Sequence, residues 1–204
     1  MNKRVFKIED IVTYQPAVLQ FEGVWLESFG RPELTGTWLI WGNSGNGKTR
    51  FALQLAKYLC NYTRVAYNSL EEGLSLSLKQ AIEQVGMTDK TVKKNFCLLD
   101  KESIKDLSIR LKRRFAPGVV IIDSLQYAGL NYNAYKELRD NNRNTLFIFI
   151  SHADGKEPKG DVARSIRYDS NVKIYVEGFK ALCQSRYGGG KTYVIWEKGI
   201  EKSK

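Results

Sequence analysis

The sequence predicts an α/β protein: a mostly parallel, twisted sheet flanked by helices, with antiparallel edge strands at the C-terminus. Three observations predict it. Short apolar runs alternate with longer amphipathic ones through residues 37–151, the rhythm of parallel strands joined by crossover helices. A glycine-rich turn, GNSGNGKT at 42–49, separates one such apolar run from the amphipathic run behind it. Past residue 171, three alternating segments parted by glycines read as antiparallel strands at one edge of the sheet.

The elements follow in order. Residues 1–36 are the least legible stretch and are read as a leader that covers the core or reaches a neighbour. Residues 37–204 are read as one domain, since no repeat, low-complexity tract or long linker divides them. TWLIWG at 37–42 is the first buried strand. Phe51, Ala52, Leu55, Ala56, Leu59 and Cys60 then form a helical stripe over 48–61. RVAYNS (64–69) is a second strand, and 74–85 a helix stopped by Gly86. A short strand at 96–99 precedes a helix over 103–115, with Ile104, Leu107 and Leu111 on one side and Pro117-Gly118 ending it. VVIID (119–123) and TLFIFIS (145–151) are strands around a polar helix near 132–142. Residues 152–170, rich in Lys, Arg, Asp and Gly, read as a loop, and 172–177, 180–185 and 192–197 as the edge strands.

Composition bounds the function. The 204 residues hold 32 Lys and Arg against 22 Asp and Glu, a formal charge of +10, which favours an anionic partner, usually nucleic acid, over a merely solvated lysine surface. Cys60, Cys97 and Cys183 are scattered with no C-x-x-C pair, which argues against a disulfide framework or zinc site and suits a reducing cytosol. Cys60 and Cys97 read as small core residues. The start, MNKRVFKIED, has no apolar stretch behind its charges, and no apolar run approaches a membrane span, so a cytoplasmic protein without a membrane partner is expected.

Residues 42–49 match G-x-x-x-x-G-K-[ST] at every fixed position, in the strand–turn–helix setting that motif requires. Glycines let successive N–H groups turn inward around phosphate oxygens, and the helix N-terminus adds partial positive charge. Asn43, Ser44, Gly45, Asn46, Gly47, Lys48, Thr49 and Arg50 are therefore the candidate nucleotide-binding residues, with ATP or ADP as ligand and Mg²⁺ as cofactor. Lys48 reaches the outer phosphates; the Thr49 hydroxyl and Asp123, the carboxylate ending a buried strand, are the candidate metal ligands. Many P-loop ATPases place a glutamate directly after that aspartate, but here Ser124 follows. The base must come from elsewhere, and NSLEEG (68–73) offers it. If its strand neighbours the Asp123 strand, Glu71 orients the attacking water while Glu72 caps the next helix.

GNSGNGKT, NSLEEG, VVIIDSLQ and FIFISH, in that order, resemble the RecA-like ATPases, particularly the core shared by RadA/Sms repair ATPases and DnaB-type replicative helicases. The resemblance covers roughly residues 36–200, without the zinc-binding leader and protease-like tail of RadA/Sms or the helicases' N-terminal domain: a bare motor core. It implies that His152 is a switch sensing the γ-phosphate, and that Arg186, within CQSRYGGGKTYVIWEKG, is an arginine finger for a neighbouring subunit. Gln184 stands where that family keeps a lysine. The segment after the strand ending at 151 touches nucleic acid in such proteins, which implicates Lys156, Lys159, Arg164 and Arg167, although Asp154, Glu157, Asp161 and Asp169 offset their charge. Arg110, Lys112, Arg113 and Arg114 read instead as a solvated face at a helix end.

The expected function is thus a nucleic-acid-dependent ATPase, a ring or filament on single-stranded DNA in recombination, repair or replication. A regulatory ATP-binding module assembling on protein partners competes with it. A small-molecule kinase is disfavoured, since residues 124–144 supply no arginine-bearing lid.

Overall fold

A strand buried on both faces must be apolar throughout, and its successive side chains then serve two different layers. In the computed structural model, which describes residues 5–202, that rule builds the molecule. The described chain runs α1 (Ile8–Val12), α2 (Gly23–Phe29), β1 (Gly36–Gly42), α3 (Lys48–Leu59), β2 (Val65–Ser69), α4 (Leu76–Val85), α5 (Lys90–Asn95), β3 (Phe96–Asp100), α6 (Ile104–Arg110), β4 (Val119–Asp123), a 3₁₀ turn (Leu125–Tyr127), α7 (Tyr132–Asn141), β5 (Leu146–Asp154), β6 (Glu157–Pro158), α8 (Asp161–Asp169), β7 (Val172–Glu177), β8 (Lys180–Ser185), β9 (Tyr193–Val194) and α9 (Glu197–Lys202). The charged start at residues 1–4 lies outside the described residues.

The sheet order is β3-β2-β4-β5-β1-β7-β8-β9, parallel from β3 through β7 and antiparallel thereafter, with β6 folded back on the end of β5. Trp38 and Ile40 of β1, Val119 and Ile121 of β4, and Leu146 and Ile148 of β5 meet α3 on one side. Leu39, Val120, Ile122, Phe147 and Phe149 meet α6, α7 and α8 on the other. Ser75, Asp89, Ser103 and Asn131 each accept a backbone N–H three residues on, fixing the starts of α4, α5, α6 and α7. No helix among the described residues is long and apolar enough to cross a membrane.

Five expectations are corrected. Residues 152–170 are not a loop: β5 runs on to Asp154, β6 returns, and α8 fills 161–169, because Ala163 and Ile166, one turn apart, bury a narrow stripe that the flanking charges conceal. The helix expected over 103–115 stops at Arg110, and Phe115 sits in the left-handed region at φ 65°. Of 192–197 only Tyr193–Val194 pairs as strand, and α9 begins at Glu197. The helix α5 has no counterpart in the sequence pattern; six residues are too few to display a period. Cys97 is exposed, since β3 is the open edge of the sheet. Within 1–36, Leu19, Phe21 and Phe29 lie in the core and Trp25 stacks on Tyr58, while α1 buries none of its residues.

Candidate functional site

The C-terminal ends of the parallel strands meet along one edge, and register decides which residues meet there. β1 beside β5 sets Gly42 opposite His152, and β2 beside β4 sets Ser69 opposite Asp123. The adjacency on which Glu71's place depended is therefore present. The carbonyl of Asp123 accepts the N–H groups of Leu70 and Glu71 (2.6 and 3.2 Å), which holds the turn after β2 against the end of β4.

Residues 42–47 form a tight cradle. A Cβ at Gly42 would stand 2.2 Å from the Val176 carbonyl oxygen, so β7 allows no side chain there. Gly47 has φ 95°, and a Cβ on it would meet the Phe179 ring at 2.9 Å. Asn46 Oδ1 accepts the Gly178 N–H at 2.8 Å, seating the cradle on the two-residue turn between β7 and β8. That turn has Gly178 and Phe179 at φ 51° and 56°, the doubly left-handed geometry that usually selects Gly or Asn. An aromatic there costs on the order of 1 kcal/mol. The Phe179 ring offsets it by packing edge-on against Trp196 (centroids 5.3 Å apart) and under the cradle.

A cavity of about 320 Å³ opens beside the cradle, lined by Lys48, Thr49, Glu71, Asp123, Ser124 and His152 among others. Burial lowers the pKa of Lys48, against the pull of Asp123 and Glu71. Its Nζ forms no ion pair among the described residues and donates to the Asn43 carbonyl at 2.9 Å. Burial also pushes Asp123 up to about 6; the hydrogen bond from Tyr67 opposes this, Glu71 adds to it and Lys48 opposes it. Glu71 Oε2 accepts from Ser124 Oγ at 3.1 Å and lies 3.2 Å from His152 Nε2. Glu72 turns away to accept from the hydroxyls of Ser75 and Ser77 at the start of α4. A glycine cradle, a lysine without a carboxylate partner, a hydroxyl and a tyrosine-held carboxylate together fit a magnesium nucleotide.

His152 connects onward: its N–H donates to Gln126 Oε1 at 3.2 Å, and Gln126 Nε2 donates to Ser151 Oγ and to the Lys159 carbonyl. Lys156 and Lys159 are exposed in the β5–β6 hairpin, whereas Arg164 and Arg167 stand on α8. Arg167 pairs with Glu157 and lies 5.1 Å over the Trp41 ring; Arg164 is 3.9 Å from Asp161. Arg186 follows β8, whose end pairs with the start of β7, so it lies at the opposite edge of the sheet from its own cavity. Arg50 lies 4.7 Å over the Trp196 ring and bonds Gln84, and its buried Nε has no partner among the described residues. Sequence reasoning missed Phe179 and Trp196; the signal that marks Phe179 is EGFK, a two-residue hairpin turn carrying an aromatic.

This strand order, with the phosphate cradle on the strand flanked by β5 and β7, is the RecA-like P-loop ATPase fold that the motif resemblance implied. No protein-family model and no curated protein matches the chain. Among solved structures it is similar to the flagellar accessory protein FlaH from Methanocaldococcus jannaschii, with TM-score 0.58 and 17% identity over 88% of this chain and 94% of that one. It is also similar to the isolated ATPase domain of another protein, with TM-score 0.54 and 18% identity over 83% of this chain and 84% of that one. At such identities the likeness is one of fold.

Proposed function

We propose that this chain is a Mg²⁺-dependent ATPase stimulated by single-stranded nucleic acid, a cytoplasmic ring or filament serving DNA recombination, repair or replication. One observation carries the reading: Glu71, Asp123, Thr49 and Lys48 line a single cavity beside the glycine cradle. The cradle N–H groups and Lys48 bind the triphosphate, while Thr49 and Asp123 would hold Mg²⁺, which when bound bridges and neutralises the outer phosphate oxygens. Glu71 orients the water and takes its proton. His152, hydrogen-bonded to Glu71, senses the terminal phosphate and relays its state through Gln126 to Lys156 and Lys159. Arg186 serves the cavity of a neighbouring copy, which suits its distance from its own. The exposed Val5, Ile8, Ile11 and Val12 at α1 support assembly of copies.

Trp196, braced by Arg50 and Phe179, is assigned to the base. Trp196→Ala is expected to weaken ATP binding about tenfold through the lost stack. Affinity for inorganic tripolyphosphate, which has no base, should be unchanged by the same calorimetric measurement. Equal losses for both would place Trp196 in the scaffold rather than against the base.

The test of the whole is an ATPase titration with single-stranded DNA, with mass measured with and without nucleotide. Stimulation and nucleotide-linked assembly are expected. ATP-driven assembly with no stimulation would favour the second reading, a regulatory module on protein partners. That reading draws on Gln184 and on Arg167, which is occupied by Glu157.

A further inference from the structure

Cations from three separate segments converge at the end of the sheet remote from the nucleotide cavity. Arg64 immediately precedes β2, Lys94 lies in the last turn of α5 before β3, and Arg113 and Arg114 lie in the turn leading to β4. They line a shallow depression of about 190 Å³ around Phe115. All four are exposed, and the half-buried Asn95 and Phe96 share the depression with them. Arg110 also lines it but is already bound bidentately by Glu102, the acid that tempers the patch. None of Arg64, Lys94, Arg113 and Arg114 forms an ion pair among the described residues. A five-residue strand separates this end of the sheet from the other, roughly 15 Å.

The centre of the patch is an aromatic that the fold does not need. Phe115 is 67% exposed, so burial contributes little in return for its side chain. Its backbone is left-handed at φ 65°, a conformation costing an aromatic residue about 1–2 kcal/mol. Arg64 fixes that conformation by donating from Nη1 to the Phe115 carbonyl at 3.0 Å. The guanidinium groups of Arg64 and Arg114 lie 4.8 and 4.7 Å from the ring centroid. The result is a layered set of flat groups, two cationic and one aromatic, with Lys94 and Arg113 beside it.

We propose that this surface binds single-stranded nucleic acid, the cations meeting phosphates and the flat groups stacking on unpaired bases. A merely solvated face requires neither a strained, exposed phenylalanine nor its bracketing by two guanidiniums. An acidic peptide would use the charges but has no planar groups to match the stack, whereas a single strand presents both at short intervals. The site is separate from the proposed ATPase centre and from Lys156 and Lys159, so it stands or falls without them.

Binding of fluorescein-labelled oligo(dT) to the nucleotide-free full chain tests it by anisotropy at low salt. Arg113→Glu with Arg114→Glu should weaken binding at least tenfold, and Phe115→Ala at least threefold, with ATP turnover in the absence of nucleic acid unchanged. Arg113→Gln with Arg114→Gln guards against misfolding in the charge-reversed protein: the slope of log affinity against log salt should fall by about one per phosphate contact removed. Lys156→Glu with Lys159→Glu should leave at least half of the binding free energy in place. Unchanged affinity in the arginine variants would overturn the proposal, as would no loss in Phe115→Ala. Equal affinity of the wild type for polyglutamate would overturn it in favour of an acidic protein partner. Loss of ATPase stimulation in the Lys156 and Lys159 variant alone bears on the other edge of the sheet and leaves this site standing only if the arginine variants still lose oligo(dT) binding.

Discussion

Glu71→Gln should leave ATP bound and almost stop its hydrolysis. The amide has the shape of the carboxylate and still accepts from Ser124 Oγ, so the turn after β2, held by the Asp123 carbonyl, has no reason to move. It cannot accept a proton from water. Loss of a positioned base costs 10²–10⁴ in rate, and a fall in turnover of about a thousandfold, roughly 4 kcal/mol of barrier, is expected here. The dissociation constant for ATP should stay within about threefold, because substrate contacts made by Lys48 and the cradle survive. Single-turnover measurement separates the two quantities. Normal turnover would move the base off Glu71. Glu72 is a poor substitute, anchored as it is to Ser75 and Ser77 at the start of α4.

The central strands and the phosphate loop were legible because one constraint governs each. A parallel strand covered on both sides has only apolar positions, so WLIW, VVII and LFIFI announce themselves. The cradle needs glycine where β7 closes on Gly42 and where Gly47 turns left-handed over Phe179. The placement of Glu71 was legible only conditionally, since nothing local to residues 64–73 specifies that β2 lies beside β4. What stayed hidden depended on tertiary partners. In α8 a stripe of Ala163 and Ile166 suffices because β1 and α7 lie alongside, and the charges around it imitate a loop. Phe179 and Trp196 matter to the site only through the β7–β8 turn and the start of α9, which bring distant residues under the loop. Arg113 and Arg114 look like a helix end in the sequence, yet α6 has finished before them, and their neighbours Arg64 and Lys94 come from other strands' approaches.

Asp123→Asn should abolish Mg²⁺-dependent hydrolysis and, unusually for a core substitution, stabilise the nucleotide-free protein. Burial raises this carboxyl from 3.8 to about 6, so the fold disfavours the charge it carries at neutral pH. Between those two values the folded state binds the proton more tightly than the unfolded chain does. Stability from this group is therefore greatest below about pH 4, declines as pH rises toward 6, and stays low above it, a span of at most about 3 kcal/mol. Asparagine is uncharged throughout and can still accept from the Tyr67 hydroxyl. The variant should unfold at higher denaturant than the wild type at pH 8, by about 1–3 kcal/mol, and the gap should close as pH falls to 4. Mg²⁺ with ATP should reverse the order at pH 8, because only the carboxylate gains from the cation, and turnover in the variant should fall at least a hundredfold. A gap that does not change between pH 4 and 8 would mean that Asp123 is not a buried charge awaiting a metal, and the metal-binding role assigned to it would go with that.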